Sequence, residues 1–413
     1  MATASTISET ANSPGSPAAS LLVTLTPLPP DALERTLANL GLAFPDQPIQ
    51  VATPDPLPAG APAASHVRPF TYTPAAPAPG GWVLTAADYL NAYKVMQDHV
   101  ASGCLLLGPE AQSLEPQALA NLGSGVLSGK SDLTMPHYSL GPRDGLVNSA
   151  ILYPTTRALF GTRPRYPLAI DMALSRRMAE KLATAAQRFT ASGQSAALLW
   201  PVSEAAAAAL SVNETPAGTR AIPAPDSVDL NTILAHVAGS LFADIEAKAS
   251  FWQRSRLAYS PKAAAAHTQA VQAEAAEQPA ELPEIQPMLD SFRLAYSNLH
   301  EIWSLVLPPN SLLGLKKLSL TSPAEFRMPD GLWARIVYDF VLAYRLRTIN
   351  RGHLMGALTP LYLAWVASHL RLASLTGPGS LSPEAHIEAL AAAFEADKPY
   401  LVSRWRWPDR FNP

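Results

Sequence analysis

Side chains that most often carry chemistry are sparse and dispersed in this sequence. Nine histidines occur singly, with no two at the spacing that places two metal ligands on one helix face. A Walker loop, a GxGxxG after a strand, an HExxH helix and a GxSxG elbow are all missing. Gly80-Gly81 and Gly123-Ser124-Gly125 are too short to wrap a phosphate. One polar run is denser. Arg345, Asn350, Arg351 and His353 crowd into AYRLRTINRGH, where guanidinium, amide and imidazole donors could clamp an anionic acceptor such as a carboxylate. The same groups would equally serve hydrogen bonding between domains. His236 reads as an ordinary polar residue of a helix, and Trp333, Tyr338, Tyr344 and Trp365 read as core.

Composition narrows the function classes. The chain has 413 residues, 48% hydrophobic, which suits a sizeable core and about two to three domains. Charged residues are 15%, against about 25% in an average globular protein. Thirty Lys and Arg face 33 Asp and Glu, a net charge of -3, which gives no field to draw in nucleic acid. One cysteine, Cys104, leaves no internal disulfide framework or Cys-based zinc cluster and suits a reducing compartment. The first 20 residues lack the basic and apolar regions of a secretory signal, so a cytoplasmic location is expected. The most apolar stretch, Leu354 to Leu372, contains Pro360 and His369. It falls short of the roughly 20 uninterrupted apolar residues of a membrane span and reads as a core helix.

The elements that must position any site change character along the chain. Residues Met1 to Ser20 read as a disordered tail. Leu21 to Thr26 and Ile49 to Ala52 read as strands around a helix that Asp31 would cap, the opening of a parallel α/β sheet. Thr53 to Gly81 is Pro- and Ala-rich and reads as a long irregular connection. Thr85 to Ala101 repeats apolar residues at helical spacing, and CLLL from Cys104 to Leu107 reads as a buried strand. Leu114 to Leu127, Leu146 to Phe160 (broken near Pro154) and Arg176 to Phe189 read as helices, with Asp132 to Tyr138 leading into a loop. Ala197 to Trp200 is a short strand candidate, Val202 to Leu210 a helix, Pro216 to Val228 a Pro-rich loop and Leu230 to Trp252 a long helix. Pro261 to Pro287 reads as a solvated linker or insertion. Helices over Met288 to Val306, Gly331 to Leu346, Met355 to Leu372 and Pro383 to Ala396 complete an all-helical last third.

Several segments, in one order, resemble the bacterial family-2-type glycosyltransferases related to mannosylglycerate and glucosylglycerate synthases. The first is SDLTMPHYSLGPRDGLVNSAILYPTTRALFGTRPRYP, where Asn148, Ser149, Tyr153, Pro154, Thr156, Arg157, Ala158, Leu159 and Gly161 fall in step with that group. LFADIEAKASFWQR from Leu241, EIWSLVLPP from Glu301, LWARIVYDFVLAYRLRTINRGHLMGALTPLYL from Leu332 and KPYLVSRW from Lys398 match its helical domain. The resemblance implies a GT-A α/β domain that holds a nucleotide sugar, followed by an α-helical C-terminal domain. Boundaries follow as a tail at 1–20, the α/β domain at 21–229, a connecting helix at 230–260, the linker at 261–287 and the helical domain at 288–413.

The resemblance also implies where a site would lie. Asp171 stands where the group has Gly-Gly-Asp and would position donor or acceptor hydroxyls; read from the residues alone it is a helix N-cap. His137, Tyr138, Arg143 and Asp144 fall on the loop that would border the acceptor, beside the Arg345, Asn350, Arg351 and His353 run. Donor-side positions fall on Asp31, Glu110 and Gly81. These last depart from the group. Its Asp-x-Asp is replaced by Gly108-Pro109-Glu110-Ala111-Gln112, its metal-binding His is missing near Ala221, its Gly-Lys-Gly loop has no Lys, and Leu198 stands where an Asp is implied. A divalent cation, Mg or Mn, is therefore expected only if Glu110 finds a second carboxylate.

Packing motifs kept while ligand charges are lost predict a pseudo-glycosyltransferase. Such a protein would bind a nucleotide sugar or an active glycosyltransferase homologue on a retained scaffold. The competing expectation is an active nucleotide-sugar-dependent hexosyltransferase with a small hydroxy-acid or sugar acceptor, using Arg143 or Arg163 against the diphosphate. A third, an unrelated helical interaction protein, requires that the N-terminal strands form no sheet.

Overall fold

The computed structural model describes residues 21–57, 64–76, 81–141, 143–222, 228–254, 285–374 and 382–408. Its first part is a seven-stranded sheet of order β3-β2-β1-β4-β6-β5-β7. The strands are β1 (Leu21–Leu25), β2 (Ile49–Thr53), β3 (Val67–Thr71), β4 (Gly103–Leu107), β5 (Leu133–Ser139), β6 (Asp171–Ser175) and β7 (Val212–Thr219). β1 to β4 are mutually parallel, β6 runs antiparallel between β4 and β5, and β7 is parallel to β5. Leu21 to Leu25 and Gly103 to Leu107 are buried throughout, as central strands covered on both faces must be.

Helices cover the sheet: α1 (Pro30–Ala43), α2 (Ala86–Asp98), α3 (Pro116–Leu127), α4 (Tyr153–Phe160), α5 (Arg176–Ala191) and α6 (Pro201–Ala207). A π-helical turn, Asn148–Leu152, leads into α4 without a break; Pro154 lacks the N–H that would reach the Ala150 carbonyl, which instead accepts from Trp333 Nε1. The remainder is helical: α7 (Leu230–Ala247), α8 (Ala249–Trp252), α9 (Gln286–Asn298), α10 (His300–Val306), α11 (Pro309–Leu320), α12 (Asp330–Leu346), α13 (Arg351–Ala373) and α14 (Pro383–Arg406). No helix among the described residues is long and apolar enough to cross a membrane.

Two cores result. One lies on the sheet and includes Leu22, Leu105, Met172 and Leu182. The other joins the C-terminal helices to α4 and Trp200, with Trp303, Trp333 and Trp365 fully buried. Each such side chain stabilises the fold by about 1.5–3 kcal/mol through burial. Trp333 Nε1 donates to the Ala150 carbonyl at 2.8 Å and Trp303 Nε1 to Ala357 at 2.9 Å, so their polar ends are satisfied. Charge also seals this junction. Arg157 of α4, with 7% of its side chain exposed, donates to Glu388 at 2.6 Å and Glu395 at 2.9 Å, both on α14.

Several expectations need correction. The irregular connection contains an edge strand, β3, the segment 132–138, for which the sequence pattern predicts no element of its own, holds β5, and the expected loop at 216–228 contains the end of β7. Ala197 to Trp200 is not a strand; its backbone leads into α6. Asp31 does not cap α1: Pro29 is the cap and Asp31 lies in the first turn. Nor is Asp171 a helix cap, since it opens β6 and Ser175 caps α5, accepting from Met178 N. The helix expected from Leu230 is divided at Lys248, and α11 fills a stretch left unassigned. The expected tail and most of the expected linker lie outside the described residues, while Gln286 and Pro287 already belong to α9.

Candidate functional site

The chain passes from β1 to β2 and β3 on one side, then crosses back to β4 on the other. That reversal opens a crevice beyond the carboxyl ends of β1 and β4, the position where open α/β sheets take ligands. Its floor is made by Thr26 to Pro29 after β1 and by Gly108 to Glu110 after β4. Leu28 N donates to Asp55 Oδ2 at 2.7 Å, which ties the β1 loop to the end of β2. Thr26 Oγ1 and Gln112 Oε1, both buried, find no partner among the described protein atoms.

Strand direction brings the remaining groups here. Because β6 is antiparallel, it enters the sheet at this edge, and its first residue, Asp171, pairs with Leu107. β5 and β7 leave at the same edge, delivering Tyr138 and, just past Thr219, Arg220. Asp171 Oδ2 accepts from Tyr138 Oη and from Arg220 Nε, each at 2.8 Å. Its Oδ1 accepts from Gly108 N at 3.1 Å and Arg220 Nη2 at 3.2 Å. Arg220 spends its other protons on the carbonyls of Pro109, Glu110 and Ala221 and on Ser113 Oγ. Both side chains are 0% exposed.

A buried ion pair persists only when its remaining hydrogen-bonding capacity is met, and here every donor of the guanidinium is used. Burial pulls Arg220 down, but the Asp171 charge and hydrogen bonds outweigh it and hold the guanidinium charged. Burial first, then the Asp171 charge, pushes the Tyr138 phenol far up, so it stays a donor. Gly108 is required beneath: a Cβ there would stand 2.6 Å from the Ile170 carbonyl oxygen.

The other donor-side residues do not join this cluster. Asp31 points outward, paired with Arg35 at 2.7 Å and 74% exposed. Glu110 contributes its carbonyl to Arg220, while its carboxylate accepts from Gln112 Nε2 at 2.6 Å. Gly81 has nothing within 4 Å of a would-be Cβ. Glu110 therefore meets an amide rather than a second carboxylate, and Asp171 has no oxygen to spare. Among the described residues no three His, Cys, Asp or Glu side chains are placed to hold a metal ion. The residues present do not fit a divalent cation.

On the acceptor side, His137 Nδ1 lies 3.4 Å from Glu214 Oε2. Burial lowers the His137 pKa, but Glu214 raises it more, and the net is upward. Glu214 Oε1 also accepts from Arg165 N, so the carboxylate is fixed. Asp144 accepts from Gly141 N at 3.2 Å, and Arg143 is exposed in the same loop. Farther along the chain, Arg345 donates to the Trp405 carbonyl at 2.7 Å and lies over its ring. Arg351 pairs with Glu246 at 3.0 Å, Asn350 caps α13, and His353 is exposed. Trp82 and Leu198 pack with the helical core.

Sequence reasoning missed Arg220 and Glu214. Both lie in or just beyond β7, whose strand pattern was not recognised, and a buried cation is visible only with its partners. A single arginine directly after a strand that ends at the crevice was the available signal.

No family model matches the sequence, and no curated protein does. The chain is similar to solved structures of glucosyl-3-phosphoglycerate synthase from Mycobacterium tuberculosis. The complex with phosphoglyceric acid is 17% identical with a TM-score of 0.33. The complex with Mn2+, UDP-glucose and glycerol 3-phosphate is 16% identical with a TM-score of 0.35, and that with Mg2+ and UDP is 17% identical at 0.33. Each comparison covers 55% of this chain and 79% of the other.

Proposed function

We propose that this chain is a degenerate glycosyltransferase-like protein that keeps a GT-A scaffold for binding or regulation. The observation that carries the reading is the closed Asp171–Arg220 pair, in which the expected site carboxylate is fully buried and fully hydrogen-bonded. A side chain with no accessible surface cannot touch a donor or acceptor hydroxyl. Its work is to fix the loop after β4 through Gly108 N and, by way of Arg220, through the Pro109 and Glu110 carbonyls. Binding is still supported by the sheet topology, whose reversal between β1 and β4 opens a crevice beyond the carboxyl ends of those strands, where open α/β sheets take ligands. The ligand class is a nucleotide sugar, or the partner is an active glycosyltransferase homologue.

A second reading, an active nucleotide-sugar-dependent hexosyltransferase acting on a glycerate-like or sugar acceptor, is favoured by one observation. His137 is part-exposed and oriented by Glu214, a geometry that suits proton transfer at Nε2. A thermal-shift panel of UDP-, GDP- and ADP-sugars, each with and without Mn2+ or Mg2+, separates the two. A ligand at 100 times its dissociation constant adds about 2.7 kcal/mol. Stabilisation that is independent of metal, with no sugar transferred to glycerate-type acceptors, is expected. Metal-dependent stabilisation with turnover would replace the first reading by the second.

A further inference from the structure

Away from the sheet, three helices meet on two buried imidazoles. His369, in the last turns of α13, and His386, at the start of α14, face each other Nδ1 to Nδ1 at 2.7 Å. They are 1% and 3% exposed. His386 Nε2 lies 3.1 Å from Asp330 Oδ1 at the start of α12. Trp365, one turn before His369, stacks on both rings, with centroids 5.0 and 6.1 Å away. The charged groups facing the pair are Asp330 from α12 and Arg165 from the segment leading into β6, itself bound to Glu384 of α14.

Two ring nitrogens this close need one proton between them, one ring donating and the other accepting. His386 Nε2 carries a further proton to donate to Asp330. The pair can thus be neutral or carry a single charge. A second charge would set two N–H bonds head to head across 2.7 Å, so the rings would have to part first. Burial, then His386 and Arg165, hold the His369 imidazole down at about 4, against the opposing pull of Asp330.

We propose that the His369–His386 contact is an acid-released latch, holding the start of α14 to α12 and α13 near neutral pH and freeing it when the pair must carry a second charge. What α14 grips makes this matter. Glu384, Glu388 and Glu395 on the same helix hold Arg165 and Arg157, which belong to the segment between β5 and β6. Loosening α14 therefore loosens the strap that binds the helical part to the flank of the sheet. A free imidazole protonates near 6.5, the latched His369 only near 4. Between those values acidification favours release by up to about tenfold per pH unit. The latch holds above the upper value and weakens steadily below it.

Hydrogen exchange on the full chain, corrected for the intrinsic effect of pH, tests the idea. Wild-type α14 should lose protection several-fold per unit between pH 6.5 and 4.5 while β1 and β4 keep theirs. His369→Gln, which can hydrogen-bond but cannot titrate, should flatten that dependence. Protection in wild-type α14 that stays level across the range, or an equally steep slope in the Gln variant, overturns the latch. Should the variant not fold, nitrogen NMR of the wild-type imidazoles decides. A His369 ring still uncharged near pH 5 supports it, and one protonating near 6.5 with α14 protected overturns it.

Discussion

Arg157 and Glu388 lie 231 residues apart in sequence, yet their side chains meet at 2.6 Å across the junction of the sheet flank and the last helix. Tyr153 completes the group, donating to Glu388 at 2.5 Å and accepting from Arg157 at 3.0 Å.

Removing the cation strands two carboxylates at the junction, so Arg157→Met should cost about 3 kcal/mol, as broken buried pairs do. Glu388→Gln should cost about 1 kcal/mol or less, because Glu388 is half in water. Burial raises the Glu388 pKa, but Tyr153 and Arg157 together pull it below the usual carboxylate range. Its contribution is thus present above the ordinary glutamate value and lost as pH falls through the lowered one. Urea melts of wild type and Glu388→Gln should converge in acid; a gap that widens there contradicts the assignment.

The Asp171–Arg220 pair should behave as a structural unit. Arg220→Met or Asp171→Asn alone should cost about 3–5 kcal/mol, and Asp171→Leu with Arg220→Met should recover part of that loss. A double-mutant cycle measures the coupling. Folded Asp171→Asn protein of unchanged stability would show the pair to be dispensable.

Gly108→Ala should destabilise by more than 2 kcal/mol, on the order of an overpacked core substitution, because the Ile170 carbonyl cannot move without disturbing β6. Gly81→Ala, with open space around it, should stay within about 0.5 kcal/mol. Thermal melts of the two variants suffice.

Glu214 sets the charge on His137. Glu214→Gln should lower the His137 pKa, because burial then acts with less opposition. The native pKa is raised, so this contact's stabilisation is complete below the ordinary imidazole value and is lost as pH rises through the folded one. An NMR titration following the His137 ring reports both, and an unshifted ring in the variant would rule Glu214 out as the cause.

Cys104 offers a probe of opening. Burial pushes its thiol up to about 12, with Thr24 pulling weakly the other way. Ellman's reagent should leave the folded chain unmodified at pH 8 and react with one thiol per chain in denaturant. Prompt labelling of folded protein would mean that β1 and β4 part readily.

How much was legible follows from where each residue's partners lie. β1 and β4 announce themselves as unbroken apolar runs, LLVTL and GCLLL, because both faces are covered. β3 and β7 are edge strands that carry Arg68 and Pro69, and Asn213, Pro216 and Gly218, so their composition mimics a loop. Asp171 stood out in the sequence as a site carboxylate or a helix cap, but its closure by Arg220 depends on a partner 49 residues away and a strand direction that periodicity does not encode. The two imidazoles of the latch sit 17 residues apart on separate helices, and each alone reads as a solitary histidine.

The junction also sets a timetable for synthesis. At about 5–20 residues per second, the ribosome delivers Glu388 on the order of 10 to 50 s after Arg157, given their separation of 231 residues. During that interval the faces of Leu159 and Phe160, and of Trp200 once it is made, are covered only as far as the helices already synthesised allow. A nascent chain stalled before α14 should therefore recruit holdase chaperones, and one released with α14 complete should not.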